Sequence, residues 1–307
     1  DTENIIKNGN KRVVDARLSD AKFFWDKDKS KNLIKQIIKL KKIKFYEKIG
    51  SIYDKTQRLR KMSNSLSDQL DLNKEKNEIA ASISKADLCS DLVSEYPELQ
   101  GKMGRSFALA QGFDKDIANA ISEHYFPIGL TTEIPKRPIS YSIAIVDKID
   151  TLTGFFLINE KPTSSKDPFA LRRSAIGLLR IIIENNLNVS LSNLISYNLT
   201  LYQENGVNEI NKNTQKEILL FLKDRMKNIL KEKKIKPDII EASVSSHTGD
   251  NFLHLFKKNL LINKYLNKDV GKNAINSYKR AFNIIDKQKN EIDGYPDEVL
   301  FRKEEEK

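Results

Sequence analysis

Residues 161–173 read KPTSSKDPFALRR and form the stretch that most clearly indicates the local fold and the function of this chain. Pro168 suits the first turn of a helix, because the N–H that proline lacks would have no partner there. Asp167 or Ser165 can cap that helix. Apolar residues recur after the cap at helical spacing, at Phe169, Ile176, Leu179 and Ile183. The stretch therefore predicts a loop followed by a helix with one buried face.

Four cationic side chains gather around the start of this helix: Lys161, Lys166, Arg172 and Arg173. Cations oppose the helix dipole at an N-terminus, so two arginines in a first turn point to an external anion such as a phosphate backbone. A solvated basic turn is the alternative from composition alone. Arg172 also has a structural alternative, an ion pair with Asp150 or Asp167.

Composition limits the class of protein. The chain has 307 residues, 39% hydrophobic content and a mean hydropathy of -0.52. No apolar run approaches the roughly 18 residues needed to cross a bilayer, so we expect no membrane partner and a cytoplasmic location. Cys89 is the single cysteine, which excludes an internal disulfide and a multi-cysteine zinc site. The first residue is Asp1 and the last residues continue a charged helical pattern, so we expect a fragment of a longer protein.

Positive charge is concentrated near the N-terminus. The net charge is +11 overall, and residues 1–80 carry a net +8. Within the helix predicted over 47–70, a basic stripe runs opposite the apolar face, at Lys48, Lys55, Arg58 and Lys61. Such a stripe suits phosphate contacts, although an ordinary solvated face would look the same.

Hydrophobic spacing is helical almost throughout, which predicts an all-α fold with at most a short strand at Arg12–Asp15. We divide the chain into the end of a preceding domain with a basic lead-in (1–45), a helical domain (46–190), a connector (191–213) and a C-terminal helical module (214–307). The predicted helices cover 31–44, 47–70, 75–95, 114–125, 139–156, 168–186, 191–204, 214–234, 237–247, 250–267 and 270–289, with Gly294-Tyr295-Pro296 ending the last.

Three ionisable residues occupy helix positions that should be apolar. Asp87 follows Ala80 and Ile83 at helical steps, and His124 and Asp147 stand in similar positions on later helices. Charged groups are rarely buried without a partner, so three helices that turn polar groups inward predict a shared interior site.

Several of these segments together resemble the beta subunit of bacterial heterotetrameric glycyl-tRNA synthetases. The matching segments are NGN (8–10), ARLSDA (16–21), KIG (48–50), KADL (85–88), ELQG (98–101), EHY (123–125), DKIDTL (147–152), GFF (154–156) and KDPFALRR (166–173). Their order and spacing fit over roughly residues 8–185. Residues 46–190 further resemble the metal-dependent His-Asp (HD) phosphohydrolases, and the later helices resemble a lead-in to an anticodon-binding domain.

The resemblance implies a tRNA-binding subunit fragment of a glycine–tRNA ligase. ATP and magnesium would be bound, and glycine activated, by an alpha subunit in an α2β2 assembly, with no catalytic residue and no cofactor in this chain. The tRNA-Gly contacts would then come from Lys161, Lys166, Arg172, Arg173, Lys55 and Arg58. A complete HD site needs more histidines than the three present, so we interpret Asp87, His124 and Asp147 as a degenerate cluster without metal, with His124 bonded between carboxylates. The alternatives are an active HD phosphohydrolase on nucleotides and a helical scaffold with nonspecific RNA binding.

Overall fold

The computed structural model describes residues 2–129, 132–163, 165–207 and 213–287. These residues form fourteen α-helices, which confirms the all-α class. The helices are α1 (Thr2–Asp28), α2 (Leu33–Gln36), α3 (Ile52–Leu70), α4 (Lys74–Ile83), α5 (Asp91–Glu95), α6 (Lys102–Ala110), α7 (Lys115–Glu123), α8 (Pro138–Leu157), α9 (Leu171–Glu184), α10 (Leu191–Glu204), α11 (Thr214–Glu232), α12 (Pro237–Ser245), α13 (Phe252–Leu266) and α14 (Asp269–Lys287). The predicted stop at Gly294-Tyr295-Pro296 lies outside the described residues.

A small hairpin fixes the start of α3. Strands β1 (Lys44–Tyr46) and β2 (Gly50–Ser51) pair antiparallel. Gly50 has a φ of +91°, a conformation that favours glycine. Ser51 then caps α3 in a capping box with Asp54, whose side chain bonds back to the Ser51 N–H at 2.8 Å. Because of this turn, α3 begins at residue 52 instead of the predicted residue 47.

The N-terminal segment is a single helix, so the strand predicted at Arg12–Asp15 is wrong. The two adjacent valines there, Val13 and Val14, lie inside α1, which continues without interruption from Thr2 to Asp28. The last turns of α1 pack on the domain, where Trp25 stacks on Phe107 with ring centroids 5.2 Å apart. Most earlier side chains of α1 are exposed.

Helix α8 forms the centre of the bundle. It is buried on nearly all sides, which is the expected property of a helix that neighbours surround. Helices α3, α4, α7, α9, α10 and α11 pack against it. Gly154 lets α10 approach closely, because a Cβ there would clash with the Tyr202 hydroxyl and lie 3.1 Å from Ile49.

The helix predicted over 75–95 is interrupted. Helix α4 ends at Ile83, a 3-10 turn follows at Ala86–Cys89, and α5 begins at Asp91. Ser84 donates to the Ala81 carbonyl, and hydroxyls that bond the local backbone compete with helix continuation. The interruption turns the side chains on either side of Ala86 towards the interior, which positions part of the site described below.

The later helices continue the same packed core. Helix α10 has the predicted bounds, and its Tyr202 is fully buried. Helix α11 packs against α8 and α9. The proposed limits of the domains remain predictions, and residues 208–212 of the predicted connector and 288–307 of the C-terminal module lie outside the described residues. No described helix combines the length and the apolar character needed to cross a bilayer.

Candidate functional site

Seven ionisable side chains meet in the interior, where α3, α7 and α8 approach the turn after α4. We call them the interior charge cluster; its members are Lys55, Arg58, Lys85, His124, Asp147, Lys148 and Asp150. Six of them are at most 5% exposed, and the seventh, Asp147, has a side chain that is 14% exposed. Burial on this scale requires partners, because an isolated charge loses its hydration.

Arg58 and Asp150 form the innermost pair. The Arg58 guanidinium binds both carboxylate oxygens of Asp150, at 2.6 and 3.1 Å, and also donates to the Tyr202 hydroxyl at 3.1 Å. Lys55 reaches the same carboxylate at 3.2 Å. Burial alone would raise the pKa of Asp150, but Arg58 and Lys55 outweigh it and hold the pKa below its usual value.

These contacts overturn the exposed basic stripe predicted on α3. Lys55 and Arg58 are 3% and 1% exposed, so neither presents its charge to a surface ligand. Both residues lie opposite the apolar face of α3, and there their side chains reach Asp150 of α8. Lys61 does lie at the surface, where it pairs with Glu204 at 2.7 Å. The assignment of Lys55 and Arg58 as tRNA contacts is therefore wrong, since both are used inside the fold.

Lys85 occupies the centre of the other half of the cluster. Its Nζ lies 2.8 Å from His124 Nε2, 3.2 Å from Asp147 Oδ1 and 4.0 Å from the centre of the Tyr125 ring. Lys55 approaches the same Asp147 oxygen at 3.3 Å. Burial opposes ionisation of Asp147, but Lys55 and Lys85 dominate and the pKa of Asp147 falls below its usual range.

The contacts of His124 fix its proton. Nδ1 lies 3.1 Å from the Ala120 carbonyl, which only an N–H can satisfy, so Nε2 accepts a hydrogen bond from Lys85. Burial and the nearby Lys85 ammonium lower the pKa of His124 well below its usual value, so the ring is neutral. The expectation that His124 lies between carboxylates is wrong: its partners are an ammonium and a backbone carbonyl.

Asp87 was predicted to share an interior site with His124 and Asp147, but its hydrogen bonds are to backbone N–H groups. Its Oδ2 accepts N–H bonds from Gly101 at 2.6 Å and from Gly104 at 3.2 Å, at the start of α6. Gly104 permits this approach, because a Cβ there would lie 2.5 Å from Ile121 and 3.0 Å from the Asp87 carboxylate. The structure therefore brings two of the three predicted residues together, His124 and Asp147, and assigns Asp87 to the N-terminus of a helix.

The cluster does not suit a divalent metal. The His124 nitrogen that would bind a metal is occupied by Lys85, and the Asp147 carboxylate is compensated by two ammonium groups. The described residues contain no group of three or more His, Cys, Asp or Glu side chains that could hold a metal ion. Lys85 thus places an ammonium between His124 and Asp147, where a bound metal ion would otherwise carry the positive charge.

The start of α9 differs in detail from the prediction. The helix begins at Leu171, because Ala170 adopts a left-handed conformation with a φ of +54°, so Pro168 precedes the first turn. Asp167 is the cap: its carboxylate accepts the N–H groups of Leu171 at 2.8 Å and Arg172 at 3.0 Å.

The four predicted cations around this start have different surroundings. Lys161 pairs with Glu217 of α11 at 2.8 Å. The Arg172 guanidinium donates to the Thr163 carbonyl. It forms no ion pair with Asp150 or Asp167, the two carboxylates predicted as its partners. The side chains of Lys166 and Arg173 are exposed and make no ion pair with the described residues. Lys166 and Arg173 are thus available to an external anion.

A cavity of about 380 Å³ connects the two regions. Its lining includes Asp147 and Lys148 of the interior cluster, Arg173 and Ser174 of α9, and Tyr125. Sequence spacing predicted the clusters separately and did not predict that they share a cavity.

Three members of the cluster were not among the predicted site residues: Asp150, which was considered only as a partner of Arg172, and the two lysines Lys85 and Lys148. Each lysine stands next to a residue or motif singled out in the sequence: Lys85 opens the KADL segment, and Lys148 follows Asp147. The signal was present in those segments, but lysine is so abundant in this chain that its type alone carried little information.

The chain matches known proteins along most of its length. Residues 1–245 match a family model described as glycyl-tRNA synthetase beta subunit. A glycine–tRNA ligase beta subunit of Rhodospirillum centenum is 39% identical over 280 residues, which cover 90% of this chain and 39% of the relative. One of Clostridioides difficile is 38% identical over 298 residues, which cover 96% of this chain and 42% of the relative. The chain spans about two fifths of the length of these relatives. By sequence it belongs to the glycyl-tRNA synthetase beta subunit family.

Proposed function

We propose that this chain is a tRNA-binding part of a cytoplasmic glycine–tRNA ligase, which attaches glycine to tRNA-Gly at the expense of ATP. In this proposal an alpha subunit binds ATP and magnesium and activates glycine, and the two subunits form an α2β2 assembly. The observation that carries the proposal is the family match over residues 1–245. The exposed cations at the start of α9 add a surface for the tRNA backbone.

Lys166 and Arg173 are the residues best placed for that surface. Both are exposed, and neither makes an ion pair with the described residues. Arg offers a planar fork for phosphate oxygens, so Arg173 should contribute more than Lys166 where both reach the backbone. Lys161 and Arg172 are already bonded to Glu217 and Thr163, so they would have to exchange these partners to reach RNA.

The interior charge cluster does not favour the alternative of an HD phosphohydrolase. That chemistry needs a metal-bound water, and the cluster presents ammonium groups where metal ligands would be needed. We assign no catalytic step to the cluster. We also expect the chain alone to make no glycyl-adenylate, because its sequence has no Gly-rich phosphate-binding loop. Glycine-dependent ATP–pyrophosphate exchange by the purified chain would contradict this.

The test is tRNA binding over a salt series, with tRNA-Gly and a non-cognate tRNA, with and without the alpha subunit. Lys166→Ala/Arg173→Ala should weaken binding and flatten the slope of log affinity against log salt by about 0.9 for each phosphate that the variant no longer neutralises. The matched control is Lys257→Ala/Lys264→Ala, which removes two exposed positive charges from α13.

Three outcomes separate the proposals. A flatter slope in the α9 variant alone supports the proposed surface. Equal binding of tRNA-Gly, non-cognate tRNA and another polyanion, with and without the alpha subunit, would favour a scaffold with nonspecific RNA binding. Wild-type affinity and slope in a folded α9 variant would remove Lys166 and Arg173 from the interface.

A further inference from the structure

Lys148 differs from the other cations of the interior charge cluster. It is 5% exposed, and its Nζ donates to the Phe126 carbonyl at 2.9 Å and the His124 carbonyl at 3.4 Å. Lys55, Lys85 and Arg58 each form an ion pair with an aspartate, whereas no carboxylate of the described residues lies within 4.0 Å of Lys148 Nζ. Buried charges are normally paired, but Lys148 is a buried cation without a direct ion pair, and Asp147 attracts it only from beyond that distance.

The fold holds this ammonium in place. The Lys148 side chain passes over Gly177 of α9, where a Cβ would lie 3.0 Å from Lys148 Cε and 3.2 Å from Pro127 Cγ. A larger residue at 177 would displace the lysine or the proline beside it. Two carbonyl acceptors and this close contact orient Nζ, and a lysine ammonium has a third N–H to offer.

The third donor has a cavity beside it. Lys148 lines the cavity of about 380 Å³ together with Arg173 and Ser174, which belong to the first turn of α9. The Arg173 guanidinium is exposed and has no hydrogen-bond or ion-pair partner among the described residues.

The remaining walls decide how large a ligand fits. Tyr125, Pro127 and Ile128 supply an aromatic and apolar surface. Two carboxylates also line the cavity. Asp147 is compensated by Lys55 and Lys85 at 3.3 and 3.2 Å, and Glu98 is exposed. The cavity lining therefore combines cationic and apolar side chains, and its volume leaves space for more than a bare anion.

We propose that this cavity is a binding site for a phosphate ester, whose phosphate group is bound between Lys148 and Arg173 and whose organic part lies against Tyr125. The arginine fork and the lysine point charge match the several oxygens of a tetrahedral phosphate. The phosphate can belong to a nucleotide unit of an RNA strand or to a free nucleotide. The site shares Arg173 with the proposed tRNA surface but does not depend on tRNA as the partner.

Binding should change the protonation of Lys148. Burial lowers its pKa to about 8, and a phosphate at hydrogen-bond distance would favour the ammonium form. The resonance of the Lys148 Cε carbon reports this pKa directly. We expect titration of inorganic phosphate or adenosine 5′-monophosphate to shift the Lys148 titration to higher pH.

The test is calorimetric titration of the 307-residue chain with inorganic phosphate, adenosine 5′-monophosphate and a single-stranded RNA trinucleotide. Lys148→Met and Arg173→Gln should each weaken binding about tenfold or more, as expected when a charge-assisted hydrogen bond is removed. Arg12→Gln removes an arginine of α1 that is exposed and forms no ion pair with the described residues, and it should leave binding unchanged. Gly177→Ala should weaken binding without removing any charge, since it displaces Lys148.

Each result either supports or contradicts the proposed phosphate-ester site. Saturable binding of the nucleotide, weakened in Lys148→Met and Arg173→Gln but not in Arg12→Gln, supports the site for free nucleotides. Binding of the trinucleotide alone with the same pattern supports an RNA strand. If no probe binds, or if binding is unchanged in the folded Arg173→Gln variant and in Lys148→Met, the proposal is wrong. If none of the three probes binds while Lys166→Ala/Arg173→Ala flattens the salt slope of tRNA binding, the cavity site is refuted and the proposed function stays intact.

Discussion

Two groups of cations, Lys55 with Arg58 on α3 and Lys166 with Arg173 at the start of α9, are similar in sequence and opposite in structure. Both consist of a lysine followed by an arginine, three positions later in the first pair and seven in the second, on or beside a helix. The first pair is buried against Asp150, and the second is exposed without an ion pair in the described residues. A basic residue is therefore part of the fold where a carboxylate of a neighbouring helix lies opposite it. Where no carboxylate does, the residue is available to an external anion.

The largest difference should appear in stability. Arg58→Ala leaves the Asp150 carboxylate buried with only part of its compensation, so we expect the free energy of unfolding to fall by about 3–5 kcal/mol. Arg60→Ala is the matched control on the same helix: Arg60 is 42% exposed and pairs with Glu78 at 3.7 Å. Removal of this exposed pair should cost less than about 1 kcal/mol in urea denaturation. Equal effects of the two variants would contradict the buried pair.

The next effect concerns pH. The folded-state pKa of Lys148 is about 8, below its ordinary value of 10.5, because burial is the largest cause and Lys85 and Lys55 repel the ammonium. The unfolded chain therefore binds more protons between those values, and stability should rise with pH across that window. Relative to Lys148→Met, the wild-type protein should gain about 1–3 kcal/mol between pH 8 and pH 10.5. The check is chemical denaturation of both proteins at several pH values; parallel curves would place the pKa of Lys148 at its ordinary value.

His124→Ala tests the neutral histidine within the cluster. Lys85 would lose the ring nitrogen that accepts its hydrogen bond, so we expect a loss of about 1–3 kcal/mol and a lower melting temperature. His254→Ala removes an exposed histidine of α13 and should change stability by less than about 0.5 kcal/mol. Added manganese or zinc should not stabilise the wild-type protein. Metal-dependent stabilisation that disappears in Asp147→Asn would show that the ammonium does not replace a metal.

Asp167→Ala tests the cap of α9. Its carboxylate binds two N–H groups of the first turn, so the variant should lose about 1 kcal/mol. Ser165 was the other candidate cap in the sequence; it is exposed, and Ser165→Ala should be nearly neutral. Thermal denaturation of the two variants distinguishes the caps, and the reverse order of effects would disprove the assignment.

The smallest effect on stability should come from the exposed pair. Lys166→Ala/Arg173→Ala should change the free energy of unfolding by no more than about 0.5 kcal/mol, because both side chains are exposed and neither forms an ion pair in the described residues. Together with Arg58→Ala, this variant would show that the basic residues of α3 affect folding, whereas those at the start of α9 affect anion binding and not folding. A large drop in stability in the α9 variant would mean that its residues serve the fold.

Hydrophobic spacing in the sequence was sufficient to predict most helices. It failed where contacts of individual residues determined the structure. Helix α10 has the predicted bounds, because its apolar spacing is uninterrupted between clear caps. The break after Ile83 was missed, since serine hydroxyls there compete with a helix that the apolar spacing would continue. The strand predicted at Arg12–Asp15 was wrong, because α1 continues through these residues.

The same limit applies to the candidate site. Burial of Asp147 and His124 followed from their place on apolar faces, and it was predicted correctly. The lysines that contact them were not predicted. Lys85 and Lys148 are 39 and 24 residues away from His124 in the sequence, and residue spacing does not indicate contacts between such distant segments. A lysine on a helix has the same sequence pattern whether water or an aspartate of another helix faces it.

The sequence by itself determined the all-α class, the family and the identity of the segments that carry its chemistry. These depend on periodicity and on residue order, which are properties of the chain alone. Only the tertiary structure decided which charges are neutralised, which carboxylate caps which helix and which cation remains without a direct ion pair. The physical reason is that ion pairing depends on distances of a few ångströms between segments, and those distances exist only after the helices have packed around α8.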